Sequence, residues 1–465
     1  MTWKTAAAFA LAVVAGCSST SAPSTANNGS SGGGASSGDN SSSGTASGGS
    51  ADMNGGSGSS SGSPPGSSGA SSGGSSGSGT SGAFGDSGTG VTIAPDGAVV
   101  GPPVVAGCGS TKLYAVPDDP SATGPWPVGV KTAQVTVATG KTIPVEVWYP
   151  APLGSDSGKT AASYNLLSYF PAAEANKVPA SANKLQACDC FRDLPIDASH
   201  GPYPAVIFIH GTGSFRTASL STMTRWASRG FIAVAADHPG LFLGDFLAGG
   251  DCPSTGLGQN LGRDVDAEIA ALTNKTGDMA FLGASVDMSR IGMSGHSQGA
   301  SNAASFGNKP NVQVDMPLAD LGGTVVASTS MLKSVLLMGG MSDSVVPYSN
   351  DTSAYTSSSA PVKRVVGITN GDHLDVTDLC AQTNSAGQTG IQVADQYGVC
   401  SGVSLTLLNG LAKCGTVSPP QAGPDIVNYV TTAVLEESLH CSNRDAAFAN
   451  LKTKYPQVGD YQHTP

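Results

Sequence analysis

Five short apolar runs limit what this chain can fold into: Ala205–Ile209, Phe231–Ala236, the run within Arg290–Ser294, Ser334–Met338 and Val362–Ile368. Ala205–Ile209 is a continuous apolar run, as expected of a strand buried on both faces, and the others, Val362–Ile368 with Lys363 and Arg364 included, read as strands too. Between them lie segments with helical spacing. Leu220–Ser228 closes on Arg229-Gly230, and Asn260–Leu272 places Leu261, Val265, Ile269 and Leu272 on one face. A further helix starts at Gln298, and Ile426–Leu439 forms a last one. Ahead of these, Lys131–Ala138 and Lys141–Tyr149 alternate in period two about a Thr139-Gly140 turn and read as paired strands. Residues 150–204 are irregular, with a short helix expected at Ala180–Ala187. Repeated strand–helix units predict an α/β fold, a mostly parallel central sheet with helices on both faces. No internal repeat is visible.

The 465 residues exceed one ordinary domain, but composition resolves the excess. Residues 18 to about 88 are almost all Ser, Gly, Ala, Thr and Asn, too polar to offset chain entropy by burial. They predict a flexible tether spanning about 45–50 Å as a coil. The organisation expected is a leader over 1–17, a disordered tether over 18–103 and a folded domain over 104–465. The leader has Lys4, an apolar run from Ala6 to Val14 and then Ala15-Gly16-Cys17. The run has the length of a signal h-region and is too short to span a bilayer. With a net charge of −11 and no Lys/Arg run, the chain lacks the basic patch that nucleic acid or anionic lipid requires.

There are nine cysteines. Setting Cys17 aside leaves Cys108, Cys188, Cys190, Cys252, Cys380, Cys400, Cys414 and Cys441, an even set suited to disulfides in an oxidising compartment. No metal is expected, because only Cys188 and Cys190 are close and no His stands at ligand spacing to them.

Gly295-His296-Ser297-Gln298-Gly299 lies between a predicted strand and a predicted helix. Two glycines there permit a tight turn that exposes a Ser hydroxyl above the sheet, and the helix start favours developing negative charge. Ser297 is the expected nucleophile. A nucleophile on such a turn takes its acid and then its base from later in the chain. Of seven histidines, His200, His210, His238 and His296 precede or adjoin Ser297, His440 sits in the last helix and His463 in the tail. That leaves His373, in a loop after a strand, as the base. Asp343, after Val335–Met338, is the expected acid, with Asp351 and Asp372 as rivals. Backbone amides of Gln298 and Thr212 are the expected oxyanion donors, the second in His210-Gly211-Thr212-Gly213. His210 reads as shaping that loop; Asp237 and His238 read as structural.

The strings VEVWYP, YPAVIFIHGTG, FIAVAADHPG, GRDVDAEIAAL, DMSRIGMSGHSQGA, MGGMSDSVVP and GDHLD resemble the platelet-activating-factor acetylhydrolase, polyester-hydrolase (cutinase-like) and dienelactone-hydrolase-like branch of the α/β-hydrolases. The leader's VAGC resembles the lipobox of bacterial lipoproteins, in which the Cys, here Cys17, is diacylated. These resemblances imply a cofactor-free serine esterase held on the cell envelope or surface by lipid alone. Small-molecule or polymeric esters are its expected substrates. The alternatives are a lipase or phospholipase acting on lipid esters, a peptidase or acyltransferase, and a non-catalytic binding module. Two departures stand out: Gln298, where an apolar residue is more usual, and a Cys-bearing insertion at about 376–423, expected to be a polar surface loop held by disulfides.

Overall fold

The computed structural model describes residues 92–93, 99–109, 111–247, 258–322 and 331–465. The leader, Cys17, most of the tether and Cys252 lie outside them. Ten strands form one sheet: β1 (Val128–Ala138), β2 (Lys141–Pro150), β3 (Phe191–Arg192), β4 (Tyr203–Ile209) and β5 (Ile232–Ala236), then β6 (Val286–His296), β7 (Val312–Leu318), β8 (Ser334–Gly340), β9 (Val362–Ile368) and β10 (Val458–Thr464). Their spatial order is β10-β9-β8-β7-β6-β4-β5-β2-β1-β3. The six central strands, β5 to β9 in that order, are parallel. Antiparallel β2 and β10 flank them, on β5 and β9. From β4 the chain steps to β5 on one side and to β6 on the other. Such a reversal opens a crevice at the carboxyl ends of those strands.

Eight helices are numbered α1 (Leu220–Ser228), α2 (Leu261–Asn274), α3 (Gln298–Ser305), α4 (Ser349–Ser357), α5 (Gly390–Gln396), α6 (Val403–Leu411), α7 (Ala422–Leu439) and α8 (Asp445–Lys454). The sheet divides the core in two. Val206 and Phe208 of β4 pack with Met223 and Trp226 of α1 and with the apolar face of α7. Ala205, Ile207 and Ile209 of the same strand pack with Val265 of α2 and Ala303 of α3. Both faces of β4 are therefore apolar, which is why its sequence does not alternate.

Besides α8 and β10, which follow the helix that the sequence places last, four elements depart from the sequence expectation. β7 reads poorly because Asp315 and Pro317 interrupt its apolar run, yet all seven residues are buried. Burial holds the Asp315 carboxyl well above the usual range, with Asp320 adding to the effect. Ala180–Ala187 is not a helix. Leu185–Ala187 instead pairs antiparallel with Ser163–Asn165, and Gln186 Nε2 donates to the Thr217 carbonyl at 2.6 Å. Thr92–Ile93 pairs with Val99–Val100 inside the stretch expected to be tether.

The fourth departure is the 376–423 insertion, which holds α5 and α6 rather than only a polar loop. Thr389 and Gln392 form a capping box at the start of α5, a signal present in the sequence. Leu405 and Leu408 of α6 bury against Tyr169, Phe215, Leu243 and Leu247, a third apolar cluster outside the two sheet faces. Disulfides join Cys380 to Cys414, Cys108 to Cys441 and Cys188 to Cys190, and Cys400 is disulfide-bonded as well.

A buried arginine ties three distant segments together. Arg229, just after α1, donates from Nε to Glu436 of α7 at 2.6 Å and from its two Nη groups to the Ala122 and Pro117 carbonyls at 2.8 and 2.7 Å. Both members of the pair are fully buried. Arg229→Met removes one of the two arginines on the Glu436 carboxylate, leaving Arg444 Nε at 2.7 Å, and is expected to cost about 1.5–3 kcal/mol, the worth of a charged hydrogen bond. Urea unfolding of the variant checks this, and a loss below about 0.5 kcal/mol would show that Arg444 alone satisfies Glu436.

Candidate active site

The turn from β6 to α3 is made in one residue. Ser297 takes φ 57° and ψ −119°, outside the region that L-residues favour. The turn survives because Gly295 and Gly299, two residues to either side, have no side chains. A Cβ on Gly295 would stand 2.5 Å from the Gly299 carbonyl carbon, and one on Gly299 would stand 2.1 Å from the Ile209 carbonyl oxygen. Helix and strand can approach this closely only through glycine. Ser297 N–H donates to the Leu318 carbonyl at the end of β7, 2.9 Å away. The hydroxyl is thus held at the carboxyl ends of β6 and β7.

His373 reaches the hydroxyl from the loop after β9, with Nε2 2.9 Å from Ser297 Oγ. Its Nδ1 lies 2.9 Å from Asp343 Oδ2, in the loop after β8. The other Asp343 oxygen accepts N–H groups of Val345 at 2.8 Å and Val346 at 2.7 Å. Serine, imidazole and carboxylate therefore form one hydrogen-bonded chain over three strand ends. The order along the sequence is Ser, Asp, His, as the nucleophile turn predicts.

The two rival acids are placed elsewhere. Asp372 Oδ1 accepts the N–H groups of Ser344 and His373, both at 2.8 Å, and so ties the acid loop to the base loop. Asp351 lies in α4, buried, its carboxyl held well above the usual range by desolvation.

The remaining histidines divide cleanly. His200 pairs with Asp197 at 2.7 Å, His440 stacks on Phe231, and His463 lies on edge strand β10. His238 sits in the core between Asp264 and Glu268 of α2, at 3.7 and 3.8 Å. Asp237 is engaged by the Arg216 guanidinium and backbone. His296, however, belongs to the site. Its Nε2–H donates to the His373 carbonyl at 2.9 Å. Burial, helped by the nearby His373, pushes the His296 imidazole down to about 3, so it is a neutral donor at ordinary pH. This contact spans 77 residues along the chain, and no local pattern announces it.

The loop after β4 completes the surroundings. A Cβ on Gly211 would lie 2.8 Å from His296 Nδ1 and 3.2 Å from Ser297 Cβ, so the loop's backbone rests directly on the turn that carries Ser297. A Cβ on Gly213 would stand 2.6 Å from Leu408 Cδ1 and 3.3 Å from Phe246 Cδ1. The 376–423 insertion therefore supplies an apolar wall to this loop. Among the described residues no group of three His, Cys, Asp or Glu side chains is arranged to hold a metal ion.

Residues 118–240 match the family model of platelet-activating factor acetylhydrolase, isoform II. The sheet order, the strand-end crevice and this match agree. Over those residues the chain is similar to the platelet-activating factor acetylhydrolase family, and its large mixed sheet with helices on both faces is the fold of an α/β-hydrolase. That similarity supports an ester hydrolase. The matched stretch runs from ahead of β1 to just past β5 and includes the 210–213 loop. Ser297, Asp343 and His373 lie beyond it. No curated protein matches the chain.

Proposed function

We propose that the chain is a lipid-anchored serine hydrolase that cleaves carboxylic esters through an acyl-enzyme. The observation that carries this reading is the Ser297–His373–Asp343 chain, with 2.9 Å at each link. As Ser297 Oγ attacks the ester carbonyl, His373 Nε2 takes its proton and Asp343 stabilises the imidazolium. The tetrahedral oxyanion faces the amides of Thr212 and Gln298. Gln298 opens α3, where an N–H has no partner within the helix. On collapse, His373 gives its proton to the leaving alcohol. Water then attacks the acyl-Ser297 ester with His373 again as base, and the acid is released.

A second reading is a lipase or phospholipase acting on lipid esters. The apolar wall of Leu408 and Phe246 beside the 210–213 loop favours it. A non-catalytic binding module has no need of a bonded Ser–His–Asp chain. A panel of p-nitrophenyl esters of increasing acyl length tests these readings. A maximum among short, monomeric esters supports small or polymeric esters as substrates. A rate that keeps climbing into micellar substrate supports lipid esters. No hydrolysis of any ester by folded protein would sink both.

Export and anchoring at Cys17 belong to the same proposal, supported by the Lys4 start, the short apolar run and the VAGC string. Two acyl chains hold a protein on a bilayer far more firmly than one. Mass spectrometry of the mature chain is expected to find Cys17 at the N-terminus carrying a diacylglyceryl group. A mature chain that starts elsewhere removes the anchor.

A further inference from the structure

We propose that His210 is a positioning residue for the oxyanion hole: by holding the Gly211 carbonyl it turns the Thr212 N–H toward the substrate oxygen. This rests on the serine-hydrolase reading above.

The tautomer of His210 follows from its partners. Its Nε2 accepts the backbone N–H of His238 at 3.1 Å. That nitrogen must carry a lone pair, so in the neutral ring the proton is on Nδ1. Nδ1–H donates to the Gly211 carbonyl at 2.8 Å. The ring is 1% exposed, and burial, with His238 nearby, pushes it down to about 3, so it stays neutral.

The Gly211 carbonyl and the Thr212 N–H belong to one planar trans peptide and point in opposite directions. Fixing the carbonyl fixes the amide. Ser214 N–H also donates to the Gly211 carbonyl, at 3.2 Å, and Gly213 N–H donates to the Leu241 carbonyl at 2.9 Å. Of the three amides at 212, 213 and 214, only that of Thr212 has no partner among the described residues. The loop is pressed on the Ser297 turn at Gly211. The one uncommitted amide is therefore beside the nucleophile, and its direction is set by a side chain that never touches substrate. His238 anchors the arrangement from the end of β5, its ring held between two α2 carboxylates.

Two substitutions separate this role from simple packing. His210→Phe keeps volume and loses the donor. His210→Asn places an amide N–H close to where Nδ1–H stood, and like Phe it loses the acceptor for His238. His210→Phe is expected to lower kcat by about 10²-fold, the order seen when one oxyanion donor is lost, with KM within threefold. Affinity for an alkylboronic acid, which mimics the tetrahedral state, should fall in parallel. His210→Asn should recover most of the kcat. Equal losses in both variants with thermal stability retained, or a loss confined to KM, would overturn the proposal. A crystal structure of His210→Phe gives a readout independent of activity: the Gly211–Thr212 peptide is expected to rotate, and an unchanged peptide overturns the inference. Absence of esterase activity in the wild type would instead count against the serine-hydrolase reading.

Discussion

Ser297→Ala is expected to lower kcat for a hydrolysed ester by about 10⁶-fold and to abolish labelling by a fluorophosphonate, because members of such a bonded chain act as a unit. The hydroxyl stands on a backbone held at φ 57° and points at His373 Nε2, 2.9 Å away. Alanine keeps the turn, since the strain lies in the backbone and the glycines that permit it are unchanged. Folding should therefore be intact, and KM, where measurable, should change little. Labelling that persists in the variant would show that another side chain reacts and would remove Ser297 from the mechanism.

Asp343→Asn should lower kcat by about 10⁴-fold with KM nearly unchanged, and the geometry explains why so small a change is so costly. Oδ1 accepts two backbone N–H groups, from Val345 and Val346. In the variant the amide oxygen must keep that position, so the NH₂ faces His373 Nδ1. Nδ1 then has to accept, and the proton moves to Nε2. A ring protonated at Nε2 cannot take the Ser297 proton. Asp372→Asn is the control: its carboxylate receives Ser344 and His373 amides rather than the imidazole, so activity should stay within about tenfold of wild type. Steady-state kinetics on both variants decides between them, and a reversed ranking would make Asp372 the acid.

Sequence reading succeeded where the deciding interactions are local. The strand at Ala205–Ile209, the helix at Leu220–Ser228 and the Gly295–Gly299 turn each carry their own pattern, because burial and backbone freedom act over a few residues. The order of Ser297, Asp343 and His373 was legible for the same reason: each follows a strand, and strand ends are marked by where apolar runs stop. The structure brings all three together.

Reading failed where a distant partner overrides the local pattern. β7 is a strand because β6 and β8 enclose it, despite Asp315 and Pro317. α5 and α6 gain their stability from Tyr169, Phe215 and Leu243, far away in sequence, so a segment that looks polar becomes a small apolar cluster against the 210–213 loop. His296 and His210 act through backbone carbonyls, and a carbonyl's direction is not written in residue type. The sequence by itself determined most of the central strands, the helices that follow them and which Ser, Asp and His stand at strand ends. Only the tertiary structure decided what those side chains lean on, because those supports are hydrogen bonds and contacts between segments that meet only once the sheet has assembled.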